Sequence, residues 1–411
     1  MSEGQTRISA EAHPFRDLAR WWPFALIGPA VVALRVPGPA RWAASWVWIP
    51  VGVGLVVQLA RRRREIVSSR EMSLLGGFLV WTTLSLIWSP DVYRGLRFVL
   101  LVAVAYLAYV WGRVAGPPGG GSQLWWAGSV GLGLALAGLV FIAEPSAIDR
   151  LNPDRILAMG VIALVVAAGY GPRRRWYTAT VGLVGLATVV VSGSRMVSLI
   201  VLVLLVTAPG LRLPKAGRVL LAVSLVTLIG LASTTTAFQQ RWFQSGEGGT
   251  LLDLVTLEDL QTSGRFEVWP VVAEACGFTL FGHGAGAADT FSSTASVDFP
   301  EPHNEYLRVW CDTGLIGSLL LWGFVASVAL EAATALRHRS TRPWAHRAAL
   351  QMVAALVLLA MTDNPLTTSI PFLVPAALAL GWSGGMLRHG RLGITGRSGR
   401  DLAREQERGN P

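Results

Sequence analysis

Residues Glu301–Arg308 read EPHNEYLR, and a short way on Gly314–Ala332 reads GLIGSLLLWGFVASVALEA. The second stretch carries one charged residue, Glu331, and as a helix it is long enough to cross the roughly 30 Å hydrocarbon core of a bilayer. The first stretch gathers a histidine, an asparagine, two glutamates and an arginine at the edge of that crossing. Charge at a membrane boundary is costly unless it is paired or holds a ligand, so this junction decides both the fold class and where chemistry belongs.

Runs like the second one recur along the whole chain. Apolar segments fall near 22–37, 42–60, 72–88, 95–112, 124–142, 155–170, 176–191, 196–210, 217–233, 305–335, 346–362 and 370–387. The composition agrees: of 411 residues, 52% are hydrophobic and only 15% charged, well below the quarter expected of a soluble domain. The expected fold is therefore an all-α integral membrane protein with about twelve transmembrane helices.

Basic residues set the orientation. The net charge is +10, nearly all from arginine, with Lys215 as the single lysine. Arg61–Arg64, Arg173–Arg175, the Arg212/Lys215/Arg218 loop, the Arg337-to-Arg347 loop and the tail all fall on one side of a twelve-span chain. The positive-inside rule makes that side cytoplasmic, together with both termini. Short clusters between apolar runs do not form the continuous basic stripe of a nucleic-acid binder, so no nucleic-acid partner is expected. The domain plan is a cytoplasmic segment 1–21, spans 1–9 over 22–233, a periplasmic loop 234–304 containing short helices, spans 10–12 over 305–387, and a disordered tail 388–411. The GPPGGG stretch at 116–121 reads as a flexible cytoplasmic link.

On that plan Arg94, Arg97, Arg150, Arg155, Arg195, Arg241, Arg265 and Arg308 lie at the outer face, where the positive-inside rule does not explain them. Some pair with carboxylates such as Asp91, Glu267, Glu301 and Glu305 or snorkel; as a group they also fit a bound anion, whose oxygens match the guanidinium fork. Arg195 sits in SGSRMVSLI, at a small-residue break between two apolar runs. Arg265, in TSGRFEVWP, begins a helix that Ser263 would cap and that would lie along the outer surface. His303 either serves as a proton acceptor for a sugar hydroxyl or is a helix-start histidine satisfied by Glu301 or Glu305. Asn304 and Glu305 are placed to orient it. His13, His338, His346 and His389 read as solvated, and His283 sits in a glycine-rich turn without the features of a phosphate-binding loop. Cys276 and Cys311 read as two unrelated thiols, with pairing the alternative if the second lies on an oxidising face. With no DxD pair on the outer face and no histidine cluster, neither metal nor cofactor is expected.

The order of these motifs resembles the O-antigen ligase and polymerase family of bacterial envelope glycosyltransferases. The Ser-Gly-Ser-Arg break, SGRFEVWP, LFGHGAG and PHNEYLRVWCDTGLIG carry the likeness over roughly residues 190–325. The resemblance implies a GT-C-like enzyme in the inner membrane, monomeric, with its site facing the periplasm. Its donor would be a glycan on undecaprenyl diphosphate, and its acceptor lipid A–core or another glycan. It also implies that Arg195 and Arg265 hold the diphosphate and His303 is the base; from their place at the outer face, Asn304, Glu305, Arg308, Arg94 and Arg155 are further candidate substrate contacts. A lipid-linked polysaccharide transporter, with the same arginines lining a route, is the non-enzyme alternative; a scaffolding membrane protein leaves those arginines unexplained.

Overall fold

The computed structural model describes residues 48–116, 197, 200, 203–204, 265–295, 301–338, 340, 343–367 and 370–395. Among these the regular structure is helical: α1 Trp48–Arg61, α2 Arg70–Leu84, α3 Val92–Ala115, α4 Arg265–Cys276, α5 Ala287–Ala295, α6 Glu305–Arg337, α7 Pro343–Ala360 and α8 Ile370–Thr395. Arg70–Trp88, Val92–Ala115, Glu305–Arg337 and Pro343–Ala360 are long and apolar enough to cross a membrane. Ile49–Arg61 and Phe372–Gly384 are apolar but shorter. The expected spans at 22–37, 124–142, 155–170, 176–191 and 217–233 lie outside the described residues, and 196–210 is represented by four positions. α8 continues to Thr395, beyond the expected span end at 387.

The helix starts are written in the sequence. Ser69 Oγ accepts from Met72 N at α2, Asp91 Oδ1 from Arg94 N at α3, and Asn304 Oδ1 from Leu307 N at α6, at 3.3, 3.0 and 3.0 Å. Each satisfies one of the amides a helix leaves open. α7 opens on Pro343, whose missing N–H costs nothing there.

One apolar core joins α1–α3 with α6–α8, and a second, smaller one packs α4 and α5 against the start of α6 through Val272, Ala288 and Cys311. Phe78, Phe98, Tyr109, Trp111, Phe324, Met352 and Phe372 are buried in the first, and Val197, Ile200 and Leu204, just after Arg195 in sequence, pack into the same cluster. The 3- and 4-residue spacing of those last three is one face of a helix. α3 and α8 approach most closely where Gly112 meets Leu378 O and Gly381 meets Tyr109 O; a Cβ at either glycine would collide with backbone. Gly381→Leu must push these helices apart, and overpacking of this kind costs about 1–3 kcal/mol or more. Thermal unfolding in detergent should show a lowered midpoint for Gly381→Leu and an unchanged one for Gly323→Leu, where the nearest atom outside the helix is Leu74 Cδ2 at 3.9 Å.

Polar residues tie the far end of the bundle, opposite the start of α6. Arg113 Nη1 stands 3.4 Å from both Glu71 and Glu331 and donates to Tyr109 Oη at 3.0 Å. His346, expected to be solvated, is fully buried between Ser383 and Ser340 at 2.8 and 2.9 Å. Ala345, Ala348 and Ala349 beside it on α7 are small and fully buried.

Candidate functional site

α6 is not continuous. Gly314 takes φ 65° and ψ −162°, a left-handed break that L side chains rarely adopt. A break exposes backbone groups on both sides, and the segment after α4 satisfies them. His283 N and Gly284 N donate to Cys311 O and Asp312 O at 2.8 and 3.1 Å; Leu315 N and Ile316 N donate to Thr279 O and Leu280 O at 3.0 and 3.2 Å. Trp81 Nε1 covers Thr313 O at 2.8 Å. The LFGHGAG and CDTGLIG motifs are thus two halves of one backbone-paired joint. Each such bond contributes about 1 kcal/mol, and leaving its groups buried and unpaired costs more.

The joint is reinforced from both sides. Asp312 accepts from Gly286 N and Ala288 N at 3.0 and 2.8 Å, so its carboxylate caps α5. Cys276, at the end of α4, is disulfide-bonded to Cys311. This corrects the reading of two unrelated thiols: the pairing follows from α4 folding back on α6, which brings their Cα atoms to 5.2 Å, and 35 residues of separation in sequence give no sign of it. His283 Nε2 meets Cys276 O at 2.8 Å and its ring lies edge-on to Phe291, a packing role.

Arg308 lies beneath the joint with 1% of its side chain exposed. It meets Asp289 at 2.5 Å, and Glu301 and Glu305 at 3.8 Å. Glu305 is fully buried and also accepts from Leu366 N at 3.0 Å. Glu301 accepts from Asn364 Nδ2 at 3.2 Å. Glu305 and Arg308 therefore present no surface to a ligand in this arrangement; burial follows from folding α5 and the 361–367 turn over the first turns of α6. Asn304 is engaged as the α6 cap.

The 361–367 turn between α7 and α8 is where the partly exposed candidates Arg265 and His303 meet. Arg265 Nη1 donates to Thr362 O at 2.7 Å, so this guanidinium turns inward and not toward lipid headgroups. His303 Nδ1 lies 3.5 Å from Asp363 Oδ1. Burial alone would raise the Asp363 carboxyl, but the His303 ring, the Asn364 N–H and the Arg265 charge outweigh it and hold it below the usual carboxylate range. Burial lowers the Arg265 pKa, with Asp363 opposing the shift, and an arginine so placed keeps its charge.

His303 itself has φ 47°, the one non-glycine residue among those described with positive φ. Such a conformation costs on the order of 1 kcal/mol and persists only when its surroundings impose it. Here they do: Trp269 Nε1 holds Pro302 O at 2.7 Å on one side, and the Asn304 cap fixes the other. An open cavity of about 650 Å³ lies beside this segment, lined by Trp269, Asn304, Tyr306, Trp310, Ser318 and Trp322 among others. The bend at Gly314 folds the two halves of α6 toward each other, so that Tyr306 stacks on Trp322 with ring centroids 4.3 Å apart.

Arg265 and His303 thus share one turn through Thr362 and Asp363. Arg94 is elsewhere, at the start of α3, with Asp91 at 3.3 Å. Arg97 reaches Thr367 O at 3.4 Å, the far end of the same turn. Arg195 and Arg155 lie outside the described residues. The sequence reading did not single out Asp363. Its one signal was the polar Thr362-Asp363-Asn364-Pro365 break between two apolar runs, which looks like any short connector.

Residues 180–322 match the O-antigen ligase family. The match covers 143 of the 411 residues. The matched segment contains Arg195, Arg265, His303 and both halves of the α6 joint, while Asp363 and the turn that carries it fall beyond it. Among curated proteins no match to the chain is found. An O-antigen ligase family domain on apolar, membrane-length helices supports glycan transfer of the ligase or polymerase type by a multi-pass membrane protein.

Proposed function

We propose that this protein transfers a glycan from undecaprenyl diphosphate to a sugar hydroxyl of an acceptor, lipid A–core in the ligase reading, at the periplasmic face of the inner membrane. The observation that carries the proposal is the meeting of Arg265 and His303 at the 361–367 turn, with the Asp363 carboxylate beside both. The buried disulfide supports an oxidising side for this region.

In the proposed step His303 takes the proton of the acceptor hydroxyl as its oxygen bonds to the anomeric carbon of the donor. The bond from that carbon to the diphosphate oxygen breaks on the opposite face, so the configuration inverts and undecaprenyl diphosphate leaves. Asp363 orients the ring and favours the imidazolium that forms, in the manner of a carboxylate behind a catalytic histidine. Arg265, with Arg195, neutralises the charge that develops on the leaving diphosphate. Glu305, Arg308 and Asn304 hold the first turns of α6, and through them His303, in place. The aromatic cavity next to Asn304 suits the apolar end of the donor.

The test uses purified protein, a lipid-diphosphate-linked glycan and two acceptors in separate reactions, lipid A–core and a second lipid-linked unit, with EDTA present. Single addition to lipid A–core is the expected result, whereas a ladder on the lipid carrier would make the enzyme a polymerase. No transfer to either would overturn both of these acceptors and point to a different one. Arg265→Ala is expected to slow transfer about 10²-fold or more, the size of effect seen when one preorganised charge stabiliser is removed. Unchanged rates would remove Arg265 from the diphosphate site.

A further inference from the structure

We infer that residues 278–281, at the tip of the segment paired to the α6 break, dip into the bilayer interface on the side where His303 lies and anchor the site at a set depth. The side chains there have little protein to cover them: Phe278, Leu280 and Phe281 are 76%, 47% and 56% exposed. The backbone is the opposite. The carbonyls of Gly277, Thr279, Leu280 and Gly282 each accept a hydrogen bond, from Trp310 Nε1, Leu315 N, Ile316 N and Trp88 Nε1 respectively. Bonded carbonyls at Thr279 and Leu280, and at Gly277 and Gly282 on either side, beneath bare apolar side chains suit lipid, where the cost of immersion falls on unpaired backbone.

Three further observations say that the partner is a bilayer. No Asp, Glu, Lys or Arg occurs between Glu274 and Asp289, and the one titratable side chain there, His283, is turned onto Cys276 O, away from the tip. The pairing with Leu315 and Ile316 sets residues 279 and 280 level with the start of the apolar run of α6. Finally, the patch is continuous with surface that lipid must cover: Val80, Leu84 and Ile87 on one face of α2 and its extension are 59%, 45% and 81% exposed, and Leu319 on α6 is 63% exposed. Trp81 joins the two, with Phe281 at 5.8 Å and Trp88 at 6.0 Å, and Trp310 packs on Phe278 at 5.7 Å. Indole and phenyl rings gathered where apolar surface gives way to polar loops form an interfacial belt. The consequence is mechanical: the same joint that bends α6 also fixes how far the His303 segment stands above the lipid. The inference does not depend on the transferase reading.

The test places a nitroxide amino acid biosynthetically at 278, 280 or 281 of the full chain, leaving the Cys276–Cys311 disulfide untouched. References are the same label at Leu319 and at Glu274. The proteins are studied in nanodiscs of phosphatidylethanolamine and phosphatidylglycerol, by collision of the label with oxygen and with a water-soluble nickel chelate. The expected oxygen-to-nickel ratio at all three positions approaches that of 319 and is several-fold above that of 274. A ratio equal to that of 274 would mean that the tip stands in water, and would overturn the proposal. Weak collision with both reagents would mean that another part of the chain or a second copy covers the patch, which overturns it equally.

Discussion

Replacing His303 with alanine is expected to lower the rate of glycan transfer about 10²–10⁴-fold, the range a positioned general base contributes, without unfolding the protein. The substitution removes a ring that is partly exposed and lies outside the apolar core, with Asp363 at 3.5 Å as its charged neighbour among the described residues. Turnover with saturating donor, read beside a thermal unfolding curve, separates the two effects. Asp363→Asn should give a smaller loss, because the ring remains and only its orienting charge is gone. A pH series sharpens the assignment. Asp363 is held below the ordinary carboxylate range, so it stays ionised at neutral pH. Its stabilising contribution is fully present above the unfolded value of about 4 and is lost as pH falls through the lower folded value. Asp363→Asn should therefore flatten stability at the acid end while leaving its shape near neutrality unchanged. Full activity in His303→Ala would remove this residue as the base and leave the family match without its proposed chemistry here.

Arg308→Ala is expected to act in the opposite way, on folding first. Arg308 is sealed among Asp289, Glu301 and Glu305. Removing the cation leaves buried carboxylates facing one another, and breaking a buried pair in this manner costs about 3–5 kcal/mol. The expected outcome is a large drop in the yield of detergent-stable protein and in its unfolding temperature, with lost activity following from lost fold. If Arg308→Ala kept wild-type thermal stability and lost only donor affinity, Arg308 would be a ligand-binding residue after all. Arg265→Ala is the useful comparison, since its guanidinium donates to a single carbonyl among the contacts described and faces the turn from the edge of α4.

The boundary arginines and His303 look equivalent in a linear reading, and three-dimensional packing is what separates them. Spacing along α6 puts Arg308 one turn beyond Glu305, which is compatible with either a ligand contact or an internal pair. Only the arrival of Asp289 from α5 and of the 361–367 turn decides for the pair. Asp363 was invisible for a related reason. Its partner is 60 residues earlier in the chain, and a short polar connector between apolar helices carries no periodic signal. The same holds for the disulfide, which depends on where α4 lands.

What the amino-acid sequence by itself determined was the class of protein. Long apolar runs have to be helices in a bilayer, because only internal hydrogen bonds satisfy their backbone, and this physics is local to each run. Asn304 caps the start of α6 and Gly314 permits its break, for equally local reasons of capping and allowed φ, although neither stands out in the linear sequence. The tertiary structure decided which polar groups were internal and which remained available. Burial of charge is a property of the whole packed assembly, set by how α4, α5 and the 361–367 turn close over α6.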